Sequence, residues 1–559
     1  MLARVRGHHL PVVWHADAAL RLPGLPMDPL RARRVLGFLA VERLVRTRDI
    51  GHPAPASVAA MLRVHSTTWV EALDDPTQVG IALGTPVNED ERRGVVAVQR
   101  LQTGGTILAA RTAWRQGGLV AHLGGGFHHA TPNRGMGFCL INDVAIAIRH
   151  LRHYGCDGPI LVVDLDLHDG NGTRAAFAED DSVHTLSIHN TDWEPLGGVA
   201  NTSLALGSGV DDATYLAAVR EVVPRIVASH RPAMVFYVAG TDPAADDRLG
   251  DWRISADGLF ERDRFVLETL RAHRPDLPVV TVLAGGYGAS AWRYTARFLA
   301  WAAAGRRLEP PDELTLAVGR LRSAGAAPVA ETGDDWGLTE EDLLGVAPVG
   351  GTRRVLGRYT PLAIELSLER AGILGALRDL GYHPVVVTDT SSPVGDTITV
   401  FGDDAHTELL MELRVGRSRT VFSGMEVLVA EWLRLQDPRQ AFSDSNPRLP
   451  GQDHPGLGLL REVVAWVVLL CEALGLDGLV FTPAQYYMAA LARHHMQFVR
   501  PEAIARFEAI EKAAGGLPLS EAEQRLAAGG VSWDGREMMM VYPVSDRLRH
   551  YLAGTGRPE

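Results

Sequence analysis

The chain has 559 residues, 46% hydrophobic and 22% charged, an ordinary composition for a globular protein. That length exceeds a single ordinary core and sets two domains as the expectation. A net charge of −12 leaves no basic surplus to neutralise phosphates and argues against a general nucleic-acid binder. Three cysteines, Cys139, Cys156 and Cys471, exclude a disulfide framework or a cysteine-rich metal site.

The first 22 residues mix Arg, His and Asp among apolar positions, so no signal-peptide hydrophobic region forms. The longest apolar helix candidate, 463–470, is too short to span a bilayer. The expectation is a cytoplasmic protein with no membrane contact. Lys512 is the only lysine, and this Arg bias with abundant Ala and Gly fits a GC-rich bacterial genome.

From residue 11 to about 303, short apolar runs alternate with amphipathic stretches. Strands are expected at 119–123, 160–163, 183–188, 233–238 and 279–283, with helices such as 211–227 and 259–272 between them. That alternation predicts an α/β fold with a doubly wound parallel sheet. Ligands bind such sheets at the carboxyl ends of strands. There the run at 160–163 breaks into Asp164-Leu165-Asp166-Leu167-His168-Asp169-Gly170-Asn171-Gly172. Asp164, Asp166 and His168 alternate, so they point to one side while the strand lasts. Two carboxylates and an imidazole, with no thiolate to close the site, suit a catalytic divalent metal. Taken alone, the stretch reads equally as an acid cluster bonding its own loop.

Other blocks accompany it. Gly124-Gly125-Gly126-Phe127-His128-His129-Ala130 lies upstream, followed by Gly135-Met136-Gly137-Phe138-Cys139 and Asn142-Asp143. Downstream stand Ala239-Gly240-Thr241-Asp242, Asp247-Arg248-Leu249-Gly250 and Gly285-Gly286-Tyr287-Gly288. In this order they resemble the zinc-dependent histone deacetylase (arginase-like amidohydrolase) superfamily over roughly residues 10–305. Gln102-Thr103-Gly104-Gly105-Thr106 and the Asp-Arg-Leu-Gly block look most like its class IV branch.

The resemblance implies a metal held by Asp166, His168 and Asp242, Zn2+ or alternatively Fe2+, and a K+ ion near Asp164, His168 and Ser187. It implies His129 as the main general base and acid, oriented by Asn171. His128, oriented by Asp164, gives electrostatic support. Tyr287 is implied as the oxyanion donor. Gly137 and Phe138 match one wall of the acyl-lysine tunnel. The opposite wall should come from the loop 190–198, where Trp193 and Leu196 stand in place of a clear matching Phe. Leu249 occupies the position where polyamine-specific relatives carry Glu. The expected substrate is therefore an acylated protein or peptide, acetyl or longer on the lysine side chain. Acetylpolyamine or another small-molecule amide is the alternative. A haloacid-dehalogenase-like phosphotransferase also opens on apolar-Asp-x-Asp, but it wants Thr or Val where His168 stands and has no use for His128, His129 or Tyr287.

The alternation dissolves near residue 306. The partition implied is a deacylase domain at 1–305, a linker at 306–351 with a short capped helix at 339–342, and an accessory domain at 352–559. The last reads as α+β: a helix at 361–380, strands at 383–387, 397–401 and 407–415, then helices at 424–435, 457–474, 483–495 and 501–514. Residues 449–458, including His454, read as a Pro/Gly-rich lead-in to a helix. His494 and His495 fall at a helix end. No chemistry is assigned to this domain.

Overall fold

Every described strand pair in the first half of the chain is parallel. The structure, a computed structural model, describes residues 9–19, 22, 25–194, 197–329, 354–443, 447–493, 495–514, 517–528 and 533–554. Leu196, His494 and the helix expected at 339–342 lie outside the described residues. The chain divides into two compact units, Met1–Pro310 and Pro311–Glu559.

The first unit carries β1 (Val12–Val13), β2 (Ile50–Gly51), β3 (Leu119–His122), β4 (Ile160–Asp164), β5 (Val183–His189), β6 (Asn201–Ala205), β7 (Met234–Val238) and β8 (Val279–Val282). Their order across the sheet is β2-β1-β3-β8-β7-β4-β5-β6. Strands β3, β4, β7 and β8 are mostly apolar and buried along their whole length, as strands covered by helices on both faces must be. The chain passes from β3 over two strand positions to β4 and later fills them with β7 and β8. The loops leaving the carboxyl ends of these four central strands therefore converge, as at the switch point of a doubly wound sheet. The covering helices start on side-chain caps. Asn142 caps Asp143–His153, Asp211 caps Asp212–His230, Ser255 caps Ala256–His273, and Asn88 with Glu91 boxes the long Glu89–Gln116.

The second unit is α+β, built on a mixed sheet. Its strands are β9 (Val385–Asp389), β10 (Asp396–Phe401), β11 (Leu409–Ser418), β12 (Val427–Leu435), β13 (Gly478–Phe481), β14 (Gln497–Phe498) and β15 (Met540–Pro543), in the order β14-β15-β13-β12-β11-β10-β9. Among the described strands of this sheet only β12 and β13 run parallel, joined through the apolar helix Leu460–Leu474. Of residues 424–435, expected as a helix, 427–435 are strand β12. Val427, Leu428 and Val429 fit a pleated surface, and β12 is paired on both sides, with β11 and with β13. The helix expected at 361–380 is two helices, Pro361–Arg370 and Ile373–Asp379, broken at Gly372, whose φ is +74°. Part of the segment read as linker is ordered. Glu313–Ser323 is a helix burying Leu314, Ala317 and Val318 in the core of the second unit.

Candidate active site

The loop after β3 must bend sharply to present two consecutive histidines, and its glycines allow this. Gly125 and Gly126 have φ of +70° and +88°. A Cβ on Gly125 would lie 2.3 Å from Asp143 Oδ2, and one on Gly126 2.7 Å from Ala284. Asp143 fixes the bend: its carboxylate accepts from the backbone N–H of Gly126 at 3.0 Å and of Phe127 at 2.7 Å. The Thr106 hydroxyl also donates to it.

His128 and His129, both buried, then meet different partners. His128 Nδ1 lies 2.7 Å from Asp164 Oδ2, and His129 Nδ1 lies 2.9 Å from Asn171 Oδ1. Burial opposes charge on His128, but Asp164 and Asp166 outweigh it and hold this imidazolium up at about 9. Burial and then the His128 charge push His129 well below the ordinary imidazole value. An amide oxygen only accepts, so His129 carries its proton on Nδ1 and presents Nε2 as a free base.

Asp166 and His168 follow β4, and Asp242 follows β7. Donor atoms of the three lie within 4.8 Å of one another. His168 Nδ1 is 2.9 Å from Asp242 Oδ2 and 3.2 Å from Asp166 Oδ1. The outer oxygens are already occupied. Asp166 Oδ2 accepts from Gly285 N–H at 2.8 Å and Asp242 Oδ1 from Leu167 N–H at 3.0 Å. Glycine is required at 285, where a Cβ would sit 2.3 Å from Asp242 Oδ2. Burial, then repulsion from Asp166, raises the Asp242 carboxyl to about 7. Two buried acids turning Asp166 Oδ1 and Asp242 Oδ2 toward one imidazole fit a divalent cation in charge and in donor type.

Tyr287 and Phe138 meet edge to face with centroids 6.0 Å apart. Phe138 has a φ of +67°, held by Ala82 O, which accepts from its N–H, and by Gln99, whose amide donates to its carbonyl. Gly137 lies so close that a Cβ would fall 2.4 Å from the His129 ring. Trp193 stacks on that ring, and Leu249 is 45% exposed in its loop. Ser187 Oγ accepts from Gly170 N–H at 3.3 Å and, with Asp164, borders a small cavity of about 10 Å³. A second acid–histidine group, Asp169, His189 and Asp192, is spent on internal pairing. Asp169 makes a two-pronged pair with Arg174 at 2.6 and 2.7 Å and accepts from Trp193 N–H at 3.1 Å. That group anchors the Trp193 loop. A cavity of about 530 Å³ is lined by His128, His129, Asp166, His168 and Tyr287 and also by Trp14, Met27 and Leu30.

The histone deacetylase domain model matches residues 25–302. An uncharacterized protein of Picosynechococcus sp. is 34% identical over 287 residues, covering 50% of this chain and 92% of that one. Histone deacetylase 2 of Arabidopsis thaliana is 32% identical over 280 residues, 48% of this chain and 72% of the relative. The chain belongs to the histone deacetylase family. A probable deacetylase of Methanothermobacter thermautotrophicus is 32% identical over 44% of this chain and 78% of its own. Among solved structures, an HDAC homolog from Aquifex aeolicus overlays with a TM-score of 0.47 at 24% identity, covering 56% of this chain and 88% of that one. By its family the protein is a hydrolase of the deacetylase kind, its parallel sheet is α/β, and the phosphotransferase alternative falls away.

Three groups that support this deacetylase site escaped the motif reading. Arg31 is buried and donates to the carbonyls of Leu283, Ala284 and Gly285 and to the Thr241 hydroxyl. Arg262, in mid-helix, donates to Leu165 O at 3.0 Å and Gly240 O at 2.7 Å, tying together the loops that carry Asp166 and Asp242. Asp143 was visible as a motif letter without a role. Arg31 opens the run Arg31-Ala32-Arg33-Arg34, in which composition does not tell the buried member from its neighbours.

Proposed function

We propose that this chain hydrolyses the side-chain amide of acylated lysine in a protein or peptide, with a metal ion, Zn2+, as its resident cofactor. The observation that carries the reading is the convergence of His128, His129, Asp166, His168 and Tyr287 on one cavity. Asp166, His168 and Asp242 would hold the ion, which supplies, when bound, a Lewis acid for the amide oxygen and a water of lowered pKa. Fe2+ suits the same donors, and K+ beside Asp164, His168 and Ser187 belongs to the same proposal.

The side chains have distinct tasks. His129 Nε2 takes the proton of the attacking water and returns it to the leaving lysine amine. Its Nδ1–H stays on Asn171, so the ring does not turn. His128 and Asp164 remain an imidazolium–carboxylate pair beside the reacting centre. Burial, then the Asp242 and Asp166 charges, hold the Tyr287 hydroxyl well above its ordinary value, so it keeps its proton and donates to the tetrahedral oxyanion. Gly137, Phe138 and Trp193 confine the lysine stem, and Leu249 offers an apolar rim with no carboxylate for a polyamine.

The cavity, about 530 Å³, is larger than an acetyl group needs, and each buried CH2 adds about 0.8 kcal/mol of binding. We therefore assign acyl groups longer than acetyl to the substrate range. The test is hydrolysis by the full chain of lysine peptides bearing acyl groups of graded length, beside acetylspermidine and acetylputrescine. Acyl-lysine should be preferred, with medium chains cleaved at least as well as acetyl. A clear preference for an acetylpolyamine overturns the assignment.

A further inference from the structure

The tyrosine assigned to the oxyanion sits between two glycines, Gly286 and Gly288, and Gly286 has a φ of +136°. Such a loop has little of its own to hold a hydroxyl at one point. Its carbonyl side is held by Arg31, whose Nη1 donates to Ala284 O and Gly285 O, both at 3.0 Å. Its amide side is held by a different group. Asp247 Oδ2 accepts from Tyr287 N–H at 2.6 Å and from Gly288 N–H at 3.1 Å. The other oxygen, Oδ1, accepts from Leu249 N–H at 2.9 Å and from Gly250 N–H at 3.0 Å. A single part-buried carboxylate thus receives four backbone donors from two loops.

The contact between those loops is tight in a second respect. A Cβ on Gly288 would lie 2.7 Å from Asp246 O and 3.4 Å from Asp247 Cα. Hydrogen bonds from N–H to a carboxylate are roughly twice as strong as neutral ones. Only a group that accepts on both faces can take all four. Asparagine would turn an NH2 toward one pair of N–H groups and leave those two donors facing another donor.

We infer that Asp247 is a positioning residue for the deacylation. It fixes the height of Tyr287 over the reacting carbonyl and ties it to Leu249 at the channel rim. The inference rests on the proposed role of Tyr287. A hydroxyl displaced by a fraction of an ångström donates poorly to a developing oxyanion, while substrate binding through the channel walls is largely kept. Asp247 therefore acts on kcat, through Tyr287.

A double-mutant cycle tests this in the full-length, metal-loaded protein, with Asp247→Asn, Tyr287→Phe and the double variant assayed for kcat and KM on an acyl-lysine peptide. Melting temperature and bound metal are measured beside them. Asp247→Asn should lower kcat at least about tenfold in the wild type and less than about threefold in the Tyr287→Phe background. Asp247→Glu keeps the charge but displaces both oxygens by one methylene, and it should show the same dependence on Tyr287. Equal losses in both backgrounds, no loss in the wild type, or unfolding of both Asp247 variants would make Asp247 merely structural and overturn the inference. A Tyr287→Phe enzyme with wild-type kcat would instead remove the reading of Tyr287 itself.

Discussion

Trp193 lies flat on the imidazole of His129, with ring centroids 4.1 Å apart and planes 3° from parallel. The same indole meets His168 edge-on at 5.5 Å. Gly137 also packs against His129, so closely that no side chain fits there, and the ring is held by an aromatic face and a bare backbone. An aromatic pair contributes about 0.5–1.5 kcal/mol beyond its burial, or about two- to tenfold in an equilibrium. Trp193→Ala should lower kcat/KM on acyl-lysine peptides by about that factor or somewhat more, since the channel wall goes with it. Trp193→Phe should restore most of it. If Trp193→Ala leaves both constants unchanged, the indole neither confines the lysine stem nor steadies His129.

Tyr287→Phe removes one hydroxyl and leaves the contact with Phe138. Its kcat should fall by about 10²–10³ with KM little changed, the usual cost of one oxyanion donor. An unchanged melting temperature would show that only chemistry is affected. A rise in KM at constant kcat would instead mean that Tyr287 only binds the ground state.

The ligand set predicts a paired loss. Asp242→Ala and Asp166→Ala should each lower bound metal and abolish hydrolysis, and a chelator should silence the wild type until Zn2+ is returned. Arg262→Met removes the tie between Leu165 O and Gly240 O without touching a metal donor. It should weaken metal affinity by about 10- to 100-fold, the range for groups that orient ligands. Unchanged metal content after either carboxylate substitution would rule out that residue as a ligand.

The legibility of this molecule in its sequence follows its hydrophobic pattern. Strands β4 and β7 announce themselves because fully buried parallel strands are uninterrupted apolar runs, and the motifs mark their ends. Strand β6 escapes because Asn201, Thr202 and Ser203 sit half-buried at the sheet edge, where nothing demands apolar residues. Strand β12 was misread as a helix because its pairing with β11 and β13 is a long-range fact that local spacing does not carry. The proposed metal donors and the two histidines beside them are readable as residue types. Arg31, Arg262 and Asp247 work through backbone carbonyls and N–H groups, which have no letter of their own, so only the folded geometry identifies them.

Buried histidines give the last prediction, in acid stability. His65 accepts from Asn142 N–H on Nε2 at 2.9 Å and therefore donates from Nδ1 to Thr131 O at 3.0 Å. It joins the loop after His129 to the start of the helix Asp143–His153. Protonation would set an N–H against the N–H of Asn142, and burial lowers this imidazole to about 4. Burial lowers His122 further, to about 3, and His184 to about 4. Each has a folded value below the unfolded value of about 6.5, so the unfolded chain binds the proton first as pH falls. Their contribution to stability is complete above about pH 6.5 and is lost progressively as pH falls toward the folded values. His65→Gln offers an amide donor to Thr131 O and an acceptor to Asn142 N–H but takes up no proton. It should fold at neutral pH and lose less melting temperature than the wild type between about pH 7.5 and pH 5. The same drop in both proteins would show that His65 is not one of the groups through which acid unfolds this domain.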